Sequence, residues 1–208
     1  MSKIEKAVAF ATRTHAGSVR KGKDKPYILH PLEAMTIVMR YTDGEDVLAA
    51  AVLHDTVEDT SVTVERLEKA FGPRVAGLVA SVSEDKRKDR AAETTWLERK
   101  METISHLKEA SRDTKLICLG DKLSNLREME EDYAEIDDEL WERFNQKDKD
   151  MHAWYYREIY KILKEEFDES ISPIELDEYA GIMDFVFGRP KRQSIFPEEY
   201  FKEEGSEE

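Results

Sequence analysis

His30, the adjacent pair His54-Asp55 and Asp121 are imidazoles and carboxylates set in apolar or conformationally confined sequence. His54-Asp55 closes the run AAAVLHD, and an ionisable pair at the end of an apolar helix is tolerated when it is charge-paired or coordinates a metal. Asp121 follows LICLG, where a bare carboxylate is desolvated at a cost that a divalent cation removes. His30 precedes Pro31 and follows Pro26-Tyr27, a loop–helix junction that fixes the direction of a ring. Taken singly, each has an ordinary explanation: a surface or capping histidine, or an adjacent His-Asp without function. Taken together, two imidazoles and two carboxylates form a mixed nitrogen and oxygen donor set. That set suits Mn²⁺, Fe²⁺, Co²⁺ or Zn²⁺ better than Ca²⁺ or Mg²⁺. No thiolate accompanies it, unlike a structural zinc site. An ion so held keeps positions for water and a phosphate oxygen, the arrangement in which a metal acts as Lewis acid and acidifies its water.

Glu58 and Asp59 follow one turn after His54-Asp55, so a continued helix or tight turn points both acids at the same place. There they can position or deprotonate a water, or protonate a leaving oxygen. Asn125 lies one helical turn after Asp121, on the same face. Arg20 and Lys21 are basic residues in the polar stretch GSVRKGKDKPYIL, just upstream of His30. Lys86 and Arg127 are further candidates for phosphate contacts, and both also read as surface charges.

The elements that must position these groups read as helices. Residues 2–16 carry a capping-box start, Ser2 with Glu5, and Ile4, Ala7, Val8 and Ala11 on one face. Pro31 suits the first turn of a helix over roughly 31–41. Asp43 is a candidate cap for a helix through VLAAAVLHD, after which TVEDTSVT breaks the pattern. Further helices are expected from Thr63 to Gly72-Pro73, then over 73–82, 95–109, 113–131, 138–144 and 150–167. No segment alternates as a strand does, so the fold class is all-α. Residues 1–167 are expected to form one domain and 168–208 a C-terminal extension whose role is open, its tail from Gly188 reading as a peripheral extension or as support for an oligomer contact.

Composition narrows the partners. Over 208 residues, apolar types make up 40% and charged types 38%, enough for a core under a heavily solvated surface. A net charge of −14 argues against long nucleic acid or an anionic membrane as partner. It does not argue against a small phosphorylated ligand, because a metal and a few local cations reverse the field at a site. The single cysteine, Cys118, allows no intrachain disulfide and reads as a small buried hydrophobe. No apolar run approaches the ~18 residues of a membrane span and the N-terminus has no signal-peptide pattern, so a cytoplasmic location is expected.

The order His30, His54-Asp55, Asp121 resembles the signature of the HD superfamily of metal-dependent phosphohydrolases. The stretches VRKGKDKPYILHP, VLHDTVEDT, FGPRVAGLV and GDKLSNLREM together resemble the pyrophosphohydrolase domain of Rel/SpoT proteins. SVSEDK followed by WLERKMETI is closer to the small alarmone hydrolases, in which that domain stands alone. The resemblance spans roughly residues 3–165. It implies an HD-type helical domain and Mn²⁺ at His30, His54, Asp55 and Asp121. It also implies that Glu58 and Asp59 serve the catalytic water, that Arg20 and Lys21 touch the substrate, and that Asn125 lies near the ribose or scissile phosphate. The implied reaction is hydrolysis of the 3′-pyrophosphate of guanosine tetra- or pentaphosphate to GDP or GTP and pyrophosphate.

Two stretches depart from the family pattern. Ser83-Glu84-Asp85-Lys86 stands where the long enzymes usually carry Thr-Lys, and LWERFNQKDKDMHAWYYREIY differs from the corresponding small-hydrolase segment. The second places the nucleotide's identity in question more than the chemistry. An adenosine alarmone or a nicotinamide dinucleotide 2′-phosphate fits the same site, and a nucleotide sensor without turnover is the reading from another class. Trp154, Tyr155 and Tyr156 read as core, and His152 as a core-edge histidine. The oligomeric state is not encoded in any of these patterns.

Overall fold

The computed structural model describes residues 1–87, 89–167 and 173–189. Its helices are α1 (Lys3–Thr14), α2 (Leu29–Val38), α3 (Glu45–Leu53), α4 (Thr56–Asp59), α5 (Val64–Phe71), α6 (Pro73–Val82), α7 (Ala92–Glu109), α8 (Arg112–Ile136), α9 (Lys149–Phe167) and α10 (Pro173–Phe187). A 3₁₀ segment, Asp137–Arg143, joins α8 to the chain leading into α9. The fold is all-α, and the described residues contain no strand, only an isolated bridge between Val19 and Pro26.

Local chemistry sets the boundaries. Ser2 and Glu5 form the capping box of α1, the Ser2 N–H donating to Glu5 Oε2 at 2.6 Å. Thr63 caps α5 and Ser111 caps α8 through their hydroxyls. Gly72, at φ +93°, ends α5 and lets Pro73 open α6 at once. α3 is buried at every position from Val47 to Leu53, so it is the central element on which α1, α2, α6 and α8 pack.

α8 crosses α2 closely, and Gly120 is the reason. A Cβ at that position would lie 2.6 Å from the Ala34 carbonyl oxygen and 2.9 Å from a Val38 methyl. The backbone of α8 can press on α2 only without a side chain there, and this brings the next residue, Asp121, against His30. The site therefore rests on the contact of α2 with α8 and the end of α3.

The structure differs from the sequence expectations at several points. α2 begins at Leu29 and ends at Val38, so His30 lies inside the helix instead of before it, with Pro31 still in the first turn. Gly44, not Asp43, is the cap of α3; it offers no capping side chain, and its own N–H donates to the Thr42 hydroxyl at 3.1 Å. The segment TVED forms the one-turn α4 where a break was expected. α8 runs on to Ile136, and Asp137, at φ +50°, turns the next segment into a 3₁₀ helix.

The C-terminal region, whose role the sequence left open, adds to the core: α10 packs on α8 and α9, with Tyr179, Ile182, Met183, Val186 and Phe187 buried. Its apolar positions were outweighed in the sequence by the charged tail around them. The core continues past 167 into α10, and residues 168–172 and 190–208 of the expected extension lie outside the described residues. No helix among the described residues is long and apolar enough to cross a membrane.

Candidate metal and phosphate site

His30 on α2 and His54 at the end of α3 face each other, with ring centroids 5.1 Å apart. Each ring is fixed through its Nδ1. His54 Nδ1 donates to the Ala51 carbonyl at 2.8 Å. Ser124 donates its hydroxyl hydrogen to Glu33 Oε2 at 2.8 Å, so its oxygen accepts from His30 Nδ1 at 2.9 Å. Both Nδ1 atoms therefore carry hydrogen, and both Nε2 atoms present lone pairs to the same point, the orienting arrangement usual for metal-binding imidazoles. His54 Nε2 is buried and without a hydrogen-bond partner. Asp121 Oδ1 lies 3.3 Å from His30 Nε2 and 3.7 Å from His54 Nε2. Asp55 Oδ2 lies 3.4 Å and 3.1 Å from the same two atoms.

His30, His54 and Asp121 each offer a ligand atom within 4.8 Å of the others, and Asp55 closes the fourth side. These donors fit a divalent cation: two imidazole lone pairs, two carboxylates and an otherwise orphaned buried nitrogen converge on one point. The electrostatics agree. Burial alone would push His54 down, but Asp55 and Asp121 hold it well above the usual histidine range. Burial would likewise raise both carboxylates, yet His54 beside Asp55 and Lys122 beside Asp121 keep them well below the usual range. A concentrated positive charge is what this cluster stabilises.

A shell of donors holds the carboxylates in place. Asn125 Nδ2 donates to Asp121 Oδ1 and Lys122 Nζ to Asp121 Oδ2, each at 2.6 Å. The Tyr27 hydroxyl lies 2.7 Å from Asp55 Oδ2 and 2.6 Å from Asp59 Oδ2, and its single hydrogen serves one of them at a time. Burial and those two acids raise its pKa far out of reach, so it remains a donor. Arg20 sits over the Tyr27 ring and donates to Asn125 Oδ1 at 2.7 Å and Glu128 Oε2 at 2.5 Å.

Glu58 accepts the Glu84 N–H at Oε2, 3.1 Å away, and its Oε1 lies 3.5 Å from Lys86 Nζ. Burial and the Asp55 charge raise its pKa, which makes it a better proton acceptor than an exposed glutamate. Lys86 also pairs with Asp59.

Of the residues singled out in the sequence, His30, Asp55, Asp121, Glu58, Asp59, Lys21, Lys86 and Asn125 line one cavity of about 400 Å³. His54 contacts the same carboxylates from beneath. Arg20 lines an adjoining cavity of about 300 Å³, which shares Lys21, Tyr27, Lys100, Lys122, Asn125 and Tyr155 with the first. Arg127 lines neither. It donates to Glu178 Oε1 at 2.6 Å and Oε2 at 2.9 Å, and to Glu33 Oε1 at 3.0 Å, tying α8 to α10 and α2. A larger cavity of about 790 Å³ between α6, α7 and α8 reaches Asp121 and Lys122 but not His30, His54, Asp55, Glu58 or Asp59. The chemistry sits in the smaller space.

Several lining residues carried no distinct sequence signal. Lys100 and Lys122 lie 4.8 Å and 5.7 Å from the Tyr155 ring centroid, and burial lowers the Lys100 ammonium's pKa. Trp96, Phe144 and His152 line both cavities. Tyr155 and Tyr156 are buried as expected, yet their rings also face this space. Trp96 and Lys100, one turn apart on α7, are the pair a helical-face argument could have found.

Comparison with known proteins adds independent findings. An HD-domain family model matches residues 7–146. The chain is 40% identical over 129 residues to a Xenopus tropicalis protein named guanosine-3′,5′-bis(diphosphate) 3′-pyrophosphohydrolase MESH1, covering 61% of this chain and 69% of that one. The human protein of that name is 38% identical over 131 residues, 62% of this chain and 70% of its own. The Danio rerio relative is covered over 66% of its length. Among solved structures, a metazoan ortholog of SpoT described as hydrolysing ppGpp matches with a TM-score of 0.70 at 28% identity, covering 91% of this chain and 98% of that one.

Proposed function

The chain belongs to the HD-domain family, and from that premise we propose that it hydrolyses the 3′-pyrophosphate of guanosine tetra- and pentaphosphate, releasing GDP or GTP and pyrophosphate. The observation that carries this reading is the meeting of two unlike walls in one cavity. His30, His54, Asp55 and Asp121 converge on one side with Glu58 beside them, and Lys21, Lys86, Lys100 and Lys122 stand around the rest. The relatives named for this activity support it.

His30, His54, Asp55 and Asp121 would hold Mn²⁺, which when bound supplies Lewis acidity to a phosphate oxygen and acidifies a water. Glu58, its pKa raised by burial and the Asp55 charge and its carboxylate held by the Glu84 N–H, takes the proton of the attacking water. The water oxygen bonds to the phosphorus attached to O3′, the P–O3′ bond breaks to release pyrophosphate, and the 3′-oxygen takes up a proton from solvent or from protonated Glu58 to become the ribose hydroxyl. Asp59, fixed by Tyr27 and Lys86, orients that water beside Glu58. Lys21 meets no carboxylate in an ion pair among the described residues, so its charge is available to a phosphate. Arg20 holds Asn125 against Asp121 and covers Tyr27, shaping the wall on which the nucleotide lies. The substrate is a small nucleotide, not long nucleic acid, and the enzyme acts in the cytoplasm.

A second reading keeps the chemistry and changes the base. Phe144, Asn145 and Gln146, in the stretch that departs from the family pattern, line the cavity. Their amides offer both donors and acceptors to a base edge. Purified Mn²⁺-loaded protein incubated with guanosine tetraphosphate, its adenosine counterpart and a nicotinamide dinucleotide 2′-phosphate, with products separated by ion exchange, decides the matter. GDP with pyrophosphate is the expected outcome. Turnover of another nucleotide alone moves the specificity, and no turnover of any by metal-replete protein contradicts the proposal.

A further inference from the structure

Glu84 is a largely buried charge, its side chain 11% exposed, to which the proposed chemistry assigns only a backbone N–H. Its carboxylate accepts from Arg99 Nη1, from Lys100 Nζ at 2.7 Å and from Thr103 Oγ1 at 3.3 Å, all on α7. Arg99 is fixed in turn, its Nε donating to Thr95 Oγ1 at 3.2 Å. An uncompensated carboxylate at this depth is strongly disfavoured, so three donors from one helix make Glu84 an anchor.

The same short loop works in the opposite direction as well. The Glu84 N–H donates to Glu58, and two residues on, Lys86 approaches Glu58 and pairs with Asp59. Arg87 then adopts φ +46° and pairs with Glu98 and Glu102, again on α7. Residues 84 and 87 thus reach back to α7 with their side chains. The N–H of 84 and the ammonium of 86 face forward to the two acids. A connection that merely joined α6 to α7 would need no forward contacts, and a surface loop would not bury its carboxylate against two cations.

We propose that Glu84 is a positioning residue: its carboxylate locks the 83–87 loop onto α7 so that its own N–H and Lys86 hold Glu58 and Asp59 in the orientation that serves the attacking water. The proposal rests on the reading of Glu58 as the proton acceptor. It gives the departure of Ser83-Glu84-Asp85-Lys86 from the family pattern a role in this chain.

A kinetic double-mutant cycle on the full, Mn²⁺-loaded chain tests it. Glu84→Gln keeps the shape of the side chain and its bond to Thr103 while weakening the hold of Arg99 and Lys100. It should lower kcat on guanosine tetraphosphate about tenfold with KM within about twofold, and leave Mn²⁺ affinity close to wild type while the melting temperature falls, because Arg99 and Lys100 lose their counter-charge. In a Glu58→Ala background the same substitution should cost nothing more. Additive losses, or an unchanged kcat, overturn the proposal. A second readout needs no turnover. In metal-free protein the amide resonance of residue 84 should shift and exchange faster with solvent in Glu58→Gln and in Glu84→Gln, and a resonance indifferent to Glu58 overturns the contact. If the amide responds but guanosine tetraphosphate survives intact, the substrate assignment fails and the loop's role stands; turnover with an unresponsive amide means the reverse.

Discussion

The two walls of the cavity are built by different means. The metal-side wall comes from α2, the end of α3 and the middle of α8, and its groups sit on or next to helices that pack directly on one another. The opposite wall is drawn from α7, α9, the 83–87 loop and the segment after the 3₁₀ helix, with Lys21 from the loop before α2 and Lys122 from α8, and apart from Trp96 and Lys100 on α7 its cations and rings are brought together mainly by tertiary packing. The first wall places donors by helix geometry and close backbone approach. The second balances several charges against one another, so that each ammonium depends on its neighbours. Chemistry is expected to fail when the first wall is damaged, and nucleotide preference to drift when the second is.

The largest effect on this contrast comes from Glu58, which borders both walls. Glu58→Ala should lower kcat by roughly 10²–10⁴, the usual contribution of a positioned proton acceptor, with bound Mn²⁺ retained by metal analysis. Loss of the metal with Glu58 would place it on the wrong side of the division. Next is the support behind His30. Ser124→Ala removes the acceptor of His30 Nδ1–H and should weaken Mn²⁺ binding about 10–100-fold, read by competition with a chelator; equal affinity would mean the ring is held by packing alone. Third is Gly120→Ala, which forces a methyl to 2.6 Å from the Ala34 carbonyl oxygen. Overpacking of this kind costs about 1–3 kcal/mol, so melting temperature and Mn²⁺ affinity should fall together. A drop in stability with metal affinity intact would separate the α2–α8 contact from the site. The smallest effect belongs to Arg127, whose ion pairs are about one-third exposed. Arg127→Ala should leave kcat and KM within about twofold and cost at most ~1 kcal/mol of stability. A large rise in KM would return it to the phosphate-binding set.

The same contrast explains what the sequence made legible. His30, His54-Asp55, Asp121, Glu58-Asp59 and Asn125 are short-range patterns whose spacing already encodes a shared face or junction, and the helices carry them to one place. Arg127 misled because its helix position beside the site said nothing of Glu33 and Glu178, which come from 94 and 51 residues away. Lys100 and Lys122 were hidden for the related reason that a lysine on an amphipathic helix reads as solvated unless its tertiary partners are known. Helix α10 was lost among the acidic residues of the C-terminal stretch, although Tyr179 and Phe187 are buried against α9.

The central claim is that one divalent ion held by His30, His54, Asp55 and Asp121 is what makes this fold a hydrolase. Manganese titration of chelator-stripped protein, followed by electron paramagnetic resonance with nucleotide turnover measured on the same samples, tests it directly. One tight Mn²⁺ per chain is expected in the wild type, with activity that rises in step with its occupancy, and neither tight binding nor turnover in Asp121→Ala. Turnover that survives stripping, or an Asp121→Ala variant that binds Mn²⁺ tightly and still hydrolyses the nucleotide, would contradict it.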